Sequence, residues 1–233
     1  MALIEFKNVT KQYFTGLHII NALNEASFEI DKGEFVVILG PSGAGKSTLL
    51  NLLGGMEQAT SGEIVVDDKS ITSLNDSKMT KYRASDVGFV FQFYNLIPTL
   101  TAIENIELIS DICDNAVSAS QVLDEVGLLD HKYQFPSQLS GGEQQRVSIA
   151  RAISKNPKML LCDEPTGALD SETGVQILTL LQSLCREKGT TVIIVTHNSA
   201  LAEAADKVIK VKNGEIKAVI INKNPKAVNE VNW

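Results

Sequence analysis

Nine consecutive residues, Gly40-Pro41-Ser42-Gly43-Ala44-Gly45-Lys46-Ser47-Thr48, have the composition of a phosphate cradle. They fit the pattern glycine, four residues, then Gly-Lys-Ser/Thr. Glycine at 40, 43 and 45 lets the backbone turn tightly and approach a ligand. The loop N–H groups and the start of the following helix then converge on one anion. Lys46 adds a cation for β- and γ-phosphate oxygens, and the Ser47 hydroxyl suits a magnesium ion.

Other residues along the chain have the chemistry to act beside such a loop. Asp163-Glu164 closes the apolar run Lys158-Met159-Leu160-Leu161-Cys162. Adjacent residues of a strand point in different directions, so one carboxylate can serve a metal shell and the other polarise a water. His197 follows the apolar run Thr191–Val195 and Thr196, and Gln92 follows Val87–Phe91. Ligands gather at such strand ends in parallel sheets, although taken alone Gln92 has no assigned role and a single histidine is usually structural. Ser140-Gly141-Gly142-Glu143 fits a capping box, placing a helix start at Ser140 and its end near Ser154. Two glycines in a first turn cost about 1 kcal/mol each. That cost makes sense if something approaches the backbone closely, so this is a second candidate phosphate-binding helix start. Tyr13 offers a flat face to a purine ring; an ordinary half-buried tyrosine is the alternative reading.

The pattern around these residues is α/β. Strands are expected over Leu3–Val9, Ala26–Ile30, Glu34–Leu39, Glu63–Asp67, Val87–Phe91, Lys158–Cys162 and Thr191–Val195, with two more joined by Lys212-Asn213-Gly214-Glu215. A loop is expected over Lys11–Gly16. Helices are expected after the phosphate loop, over Asp76–Arg83, from Ser140, from about Ser171 (with Val175, Leu178, Leu181 and Leu184 on one face) and over Ala200–Ala205. Between Leu100 and about Gln138 strand patterning gives way to helical spacing (Ile103, Ile106, Leu108, then Val122, Leu123, Val126, Leu129), which predicts a helical insertion. One domain is expected over residues 1–222: an α/β core from 1–99 and 139–222, the insertion at 100–138, and a polar, loose tail at 223–233.

The 233 residues carry 21 basic and 28 acidic side chains, a net charge of −7. No long basic run appears, which disfavours nucleic acid as a partner. Cys113, Cys162 and Cys185 have no metal or disulfide spacing and read as reduced thiols. The N-terminus lacks the pattern of a signal peptide. No apolar run approaches the roughly 18 residues of a membrane span.

Taken together, these motifs make the chain resemble the ATPase subunits of ATP-binding-cassette (ABC) transporters, from about Ile4 to Ile221. Residues 40–48 resemble Walker A, Gln92 the Q-loop, and LSGGE at 139–143 the signature motif. MLLCDEP at 159–165 resembles Walker B with its glutamate, ALD at 168–170 the D-loop, and His197 the switch histidine. Tyr13 falls where the adenine-stacking aromatic belongs. LLNLLGGM (49–56), FYNLIPTLTAIENIEL (93–108) and VTHN (195–198) look like the macrolide-exporter, lipoprotein-release and antimicrobial-peptide exporter group. The resemblance implies a P-loop NTPase core with a RecA-like mixed sheet and flanking helices, an N-terminal antiparallel β-subdomain and the inserted helical subdomain. It implies ATP and Mg²⁺ as ligands, with Ser47, Gln92 and Asp163 toward the metal. Residues 40–48, Tyr13 and Gln92 would bind the nucleotide, and Lys46, Gln92, Glu164 and His197 would carry hydrolysis, Glu164 as general base. It further implies a head-to-tail homodimer in which Ser140, Gly141, Gly142 and Glu143 reach the partner's nucleotide and Asp170 links the two sites. The expected setting is the cytoplasmic face of the cell membrane, peripheral, through integral permease subunits, with no insertion of its own. A cell-division-type ATPase that signals across the membrane without transport is the alternative function.

Overall fold

The structure, a computed structural model, describes residues 2–16, 18–110, 112–113 and 116–232. Met1, Leu17, Asp111, Asp114, Asn115 and Trp233 lie outside the described residues. The chain opens with β1 (Ala2–Thr15), β2 (His18–Asp31) and β3 (Phe35–Leu39), followed by α1 (Lys46–Leu53). Next come β4 (Ser61–Val66), β5 (Lys69–Ser70), α2 (Asp76–Ser85) and β6 (Val87–Val90). Helices α3 (Ala102–Glu107), α4 (Ala119–Glu125) and α5 (Gly141–Ile153) lead to β7 (Met159–Asp163). The rest is α6 (Ser171–Lys188), β8 (Thr191–Thr196), β9 (Lys207–Lys212) and β10 (Glu215–Ile221).

Two sheets result. A six-stranded mixed sheet runs β10-β9-β3-β8-β7-β6, with only the β9–β10 pair antiparallel. An antiparallel sheet runs β2-β1-β4-β5. The central parallel strands are apolar between their ends because both of their faces are covered. Side chains alternate, so Phe35, Val37, Leu160, Cys162, Val192 and Ile194 enter one core with α5 and α6. Val36, Ile38, Leu161, Ile193 and Val195 enter a second core with α1 and the antiparallel sheet. Each fully buried aliphatic side chain here contributes about 1.5–3 kcal/mol. The phosphate loop therefore leaves a strand clamped from two sides.

Between β6 and α5 the chain forms α3, α4 and two 3₁₀ turns, Leu129–His131 and Pro136–Gln138. Ile106, Val122 and Leu123 share one buried cluster with Val147, Ile149 and Ala150 of α5, so α5 packs with α3 and α4. Leu108 lies just past α3 and is exposed. Among the described residues no helix is long and apolar enough to cross a membrane.

Four expectations are corrected. The expected loop at residues 11–16 is largely strand: β1 continues past a bulge at Asn8, with Tyr13 paired to Ile20. The β2 strand likewise begins at His18 rather than near Ala26. The helix expected over Ala200–Ala205 is a 3₁₀ segment, Ser199–Glu203, started by the Asn198 side chain. The C-terminal segment is docked rather than loose. Val228 and Val231 are buried in the α6 core, and Gln182 donates to the Lys226 carbonyl (3.1 Å) and accepts from the Val228 N–H (3.0 Å). Two apolar residues three apart are enough to seat a short 3₁₀ turn, Val228–Glu230.

Candidate functional site

Registry brings the chemistry to one edge. Leu39 pairs with Thr196 and Asp163 with Val195, so β3, β7 and β8 end side by side. Val90 pairs with Cys162, placing Gln92 just beyond the same edge. A cleft of about 930 Å³ opens there. It brings together Tyr13, Ser42, Gly43, Gly45, Lys46, Ser47, Thr48, Gln92, Asp163, Glu164 and His197.

The loop geometry follows from its residues. Gly45 takes φ +99°, and a side chain there would meet the Ala22 carbonyl at 2.3 Å. No side chain caps the first turn of α1, so its opening N–H groups are left for a ligand. The Ala44 N–H donates to the Pro41 carbonyl (3.2 Å), and the Ala44 carbonyl accepts from Gly214 (3.0 Å), tying the loop to the β9–β10 turn. Lys46 is nearly buried; its ammonium donates to the carbonyls of Gly40 (2.9 Å) and Pro41 (3.0 Å). A buried cation hydrogen-bonded to neutral carbonyls attracts an anion strongly.

The two carboxylates separate because Asp163 ends β7 and Glu164 turns out of the strand. Asp163 lies on the α1 side, where it accepts from the Ser47 hydroxyl at 3.3 Å. Burial pushes its pKa up and Glu164 adds to this, while Ser47 and Lys46 pull it back. Glu164 leaves the strand with φ +46°. One of its oxygens accepts from the Thr196 hydroxyl at 3.1 Å, and the other lies 2.9 Å from His197 Nδ1. A carboxylate offers only lone pairs, so Nδ1 carries the proton and donates. Gln92 rests against the backbone of Gly167, where an added Cβ would lie 2.7 Å from Nε2.

The cleft suits a nucleoside triphosphate with a divalent cation. Among the described residues no group of three or more His, Cys, Asp or Glu side chains could hold a metal. Ser47 and Asp163 supply two hard oxygens, and an octahedral Mg²⁺ ordinarily completes its shell from phosphates and water. At the far end Tyr13 donates to Glu57 at 2.5 Å.

Ser140, Gly141, Gly142 and Glu143 are not brought to this cleft within one chain. The capping box forms: Ser140 Oγ accepts from the Glu143 N–H (3.3 Å), and Glu143 accepts from the Ser140 N–H (2.7 Å) and hydroxyl (2.8 Å). These bonds hold the Glu143 carboxyl below its ordinary range. The paired glycines have a reason inside the chain. A Cβ at Gly142 would meet Thr173 Cγ2 at 2.3 Å, and one at Gly141 the Tyr94 hydroxyl at 2.8 Å. Asp170 also stands apart, capping α6 through the Thr173 N–H (2.9 Å). It lines a second groove of about 280 Å³ that shares Glu164, Gly167 and His197 with the cleft. Thr196 and Glu57 were not singled out from the sequence. Thr196 announces itself only as the polar end of an apolar strand, and Glu57 meets Tyr13 across 44 residues.

Residues 23–167 match the model of a family described as ABC transporter. The chain is 44% identical over 234 residues to the putative ABC transporter ATP-binding protein MG065 of Mycoplasma genitalium, covering 99% of this chain and 50% of that protein. It thus spans half the length of that relative. It is 45% identical over 223 residues to MJ0796 of Methanocaldococcus jannaschii, an uncharacterized ABC transporter ATP-binding protein (92% and 95% covered). A dimeric structure of MJ0796 in a post-hydrolysis state, bound to ADP and Pi, matches with TM-score 0.86 at 44% identity over 94% of this chain and 98% of that one. The macrolide export ATP-binding/permease protein MacB of Aggregatibacter actinomycetemcomitans is 41% identical over 221 residues, 93% of this chain and 34% of that protein.

Proposed function

Since the chain belongs to the ABC transporter family, we propose that it binds ATP with Mg²⁺ and hydrolyses it to drive a separate integral membrane permease. The proposed transport is of the macrolide, antimicrobial-peptide or lipoprotein-release type, with the subunit peripheral on the cytoplasmic face. The observation that carries this reading is the Glu164 carboxylate, gripped by Thr196 and His197 and opening on the same cleft as Lys46, Ser47 and Asp163.

In this reading Tyr13 takes the base, and the N–H groups of residues 40–48 and Lys46 take the β- and γ-phosphates. Ser47, Gln92 and Asp163 hold Mg²⁺, which when bound neutralises phosphate charge. Glu164 removes a proton from the attacking water as its oxygen bonds to the γ-phosphorus and the bond to the β,γ-bridging oxygen breaks, releasing ADP and phosphate. His197 and Thr196 fix the carboxylate; each of its oxygens keeps a second lone pair for the water. Positioning and charge stabilisation carry most of such a reaction.

A second copy, head to tail, completes the site with Ser140, Gly141, Gly142 and Glu143, while Asp170 joins the two clefts. The dimeric structure of MJ0796 with ADP and Pi supports the pairing of two copies. Glu164→Gln should lower turnover by about 10²- to 10⁴-fold while ATP binding persists. On a sizing column the same variant should shift from monomer to dimer with Mg²⁺-ATP. Near-normal turnover would remove Glu164 from the role of base.

A further inference from the structure

Tyr13 sits on an exposed strand end, where an aromatic side chain would ordinarily be free to change rotamer. Here it is held at the ring and at the hydroxyl, and the hydroxyl also shares a side-chain hydrogen bond with Thr48 of α1. Its hydroxyl donates to Glu57 at 2.5 Å. The Lys11 ammonium, two residues back on the same strand face, lies 5.1 Å from the ring centroid. Lys11 is itself fixed, donating to the Gln58 carbonyl at 2.9 Å and pairing with Glu57 at 3.4 Å. The other oxygen of Glu57 accepts from the Asn51 amide of α1 at 3.1 Å. The Asn51 carbonyl in turn accepts from the N–H groups of Met56 (2.9 Å) and Glu57 (3.3 Å). The contacts run without a gap from the phosphate-loop helix to the ring.

We propose that Lys11 and Glu57 are positioning residues for the nucleotide base. They lock the Tyr13 ring, leave one face for a flat heterocycle, and tie that face through Asn51 to the helix that carries the phosphate loop. The proposal rests on the nucleotide reading above and deepens it. Burial works against charge on Glu57, but the bonds from Tyr13, Asn51 and Lys11 outweigh it and hold the carboxyl below its ordinary range. Glu57 therefore stays an acceptor at neutral pH. A ring already fixed loses no rotamer freedom when a base stacks on it, and that saving appears as affinity.

The test uses isothermal titration calorimetry with Mg²⁺-ATP and with Mg²⁺-tripolyphosphate, which has the phosphates but no base. Glu57→Ala should weaken ATP by about 3- to 10-fold, the scale of ordering one side chain, and leave tripolyphosphate unchanged. Tyr13→Phe, which keeps the ring and drops the hydroxyl with its Glu57 and Thr48 bonds, should lose at least a similar factor, and the double variant should lose no more than Tyr13→Phe alone. Glu57→Gln keeps an acceptor oxygen and should restore near-normal ATP affinity. Unchanged ATP affinity in Glu57→Ala, additive losses, or equal loss for both ligands would overturn the clamp. Equal loss would mean that Glu57 only supports α1. A wild-type chain that binds neither ligand would overturn the nucleotide reading itself, a different result from any of these.

Discussion

The chain has two glycine-bearing helix starts, and they are finished differently. At α1 the cap is a left-handed glycine with no side-chain partner, followed by a nearly buried lysine held by its own loop carbonyls. At α5 the cap is a closed capping box, and the glycines are fitted against Tyr94 and Thr173. From residue types alone both qualify as anion sites. The structure separates them: α1 has no side-chain cap, whereas at α5 Ser140 and Glu143 close on each other. Any phosphate role for Ser140–Gly142 must come from what α5 presents outside its own chain. Uncapped donors beside a cation thus point to a ligand more firmly than glycines do.

Removing the cation from α1 should have the largest effect. Lys46→Ala should weaken ATP binding by about 10- to 10²-fold, the value of charge-assisted hydrogen bonds of about 1.5–3 kcal/mol, with titration calorimetry as the readout. Unchanged affinity would break the comparison at its first term. At α5 the expected damage is to stability. Gly142→Val would drive a methyl-bearing Cβ into Thr173 and should cost about 1–3 kcal/mol in thermal or denaturant unfolding. Adding Thr173→Ala should recover part of that cost. A Gly142→Val chain of wild-type stability would show that the glycine is not held by its own fold, and would sharpen the case for an external partner.

The smallest effect is electrostatic. Glu143 has its pKa lowered by the Ser140 N–H and hydroxyl. The stability it adds is therefore present above the unfolded carboxyl value of about 4.3 and is lost as pH falls through the lower folded value. Glu143→Gln should destabilise by a few tenths to about 1 kcal/mol at pH 7, and the gap to wild type should close in acid. A gap that persists at low pH would assign the loss to packing instead.

What was legible in the sequence was local. The Ser140–Glu143 cap is an i, i+3 pattern, and the glycine-rich loop is one unbroken stretch, so the helix start at each follows from neighbouring residues. The buried strands announced themselves as apolar runs, and their polar ends marked the edge where Asp163, Glu164, Gln92 and His197 meet. What stayed hidden depends on contacts between distant segments. The Thr196 hydroxyl matters because β7 and β8 pair in a particular register. Lys11 and Glu57 become partners only once β1 lies along the segment after α1. The contact of Gly142 with Thr173, 31 positions on, has no local signal in the sequence. Residues 11–16 read as a loop because the bulge at Asn8 breaks the alternation that marks a strand.

The docked C-terminal segment bears on how the protein can be handled. Val228 and Val231 are inside the core, and Gln182 spends its amide on the backbone around them. Trimming the chain after β10 as if the remainder were spare sequence would uncover two apolar side chains and strand a buried amide. Affinity tags, fluorophores and fusion partners therefore belong on the far side of a spacer from Val231. A truncated preparation that aggregates would report this seam and would say nothing about the nucleotide site.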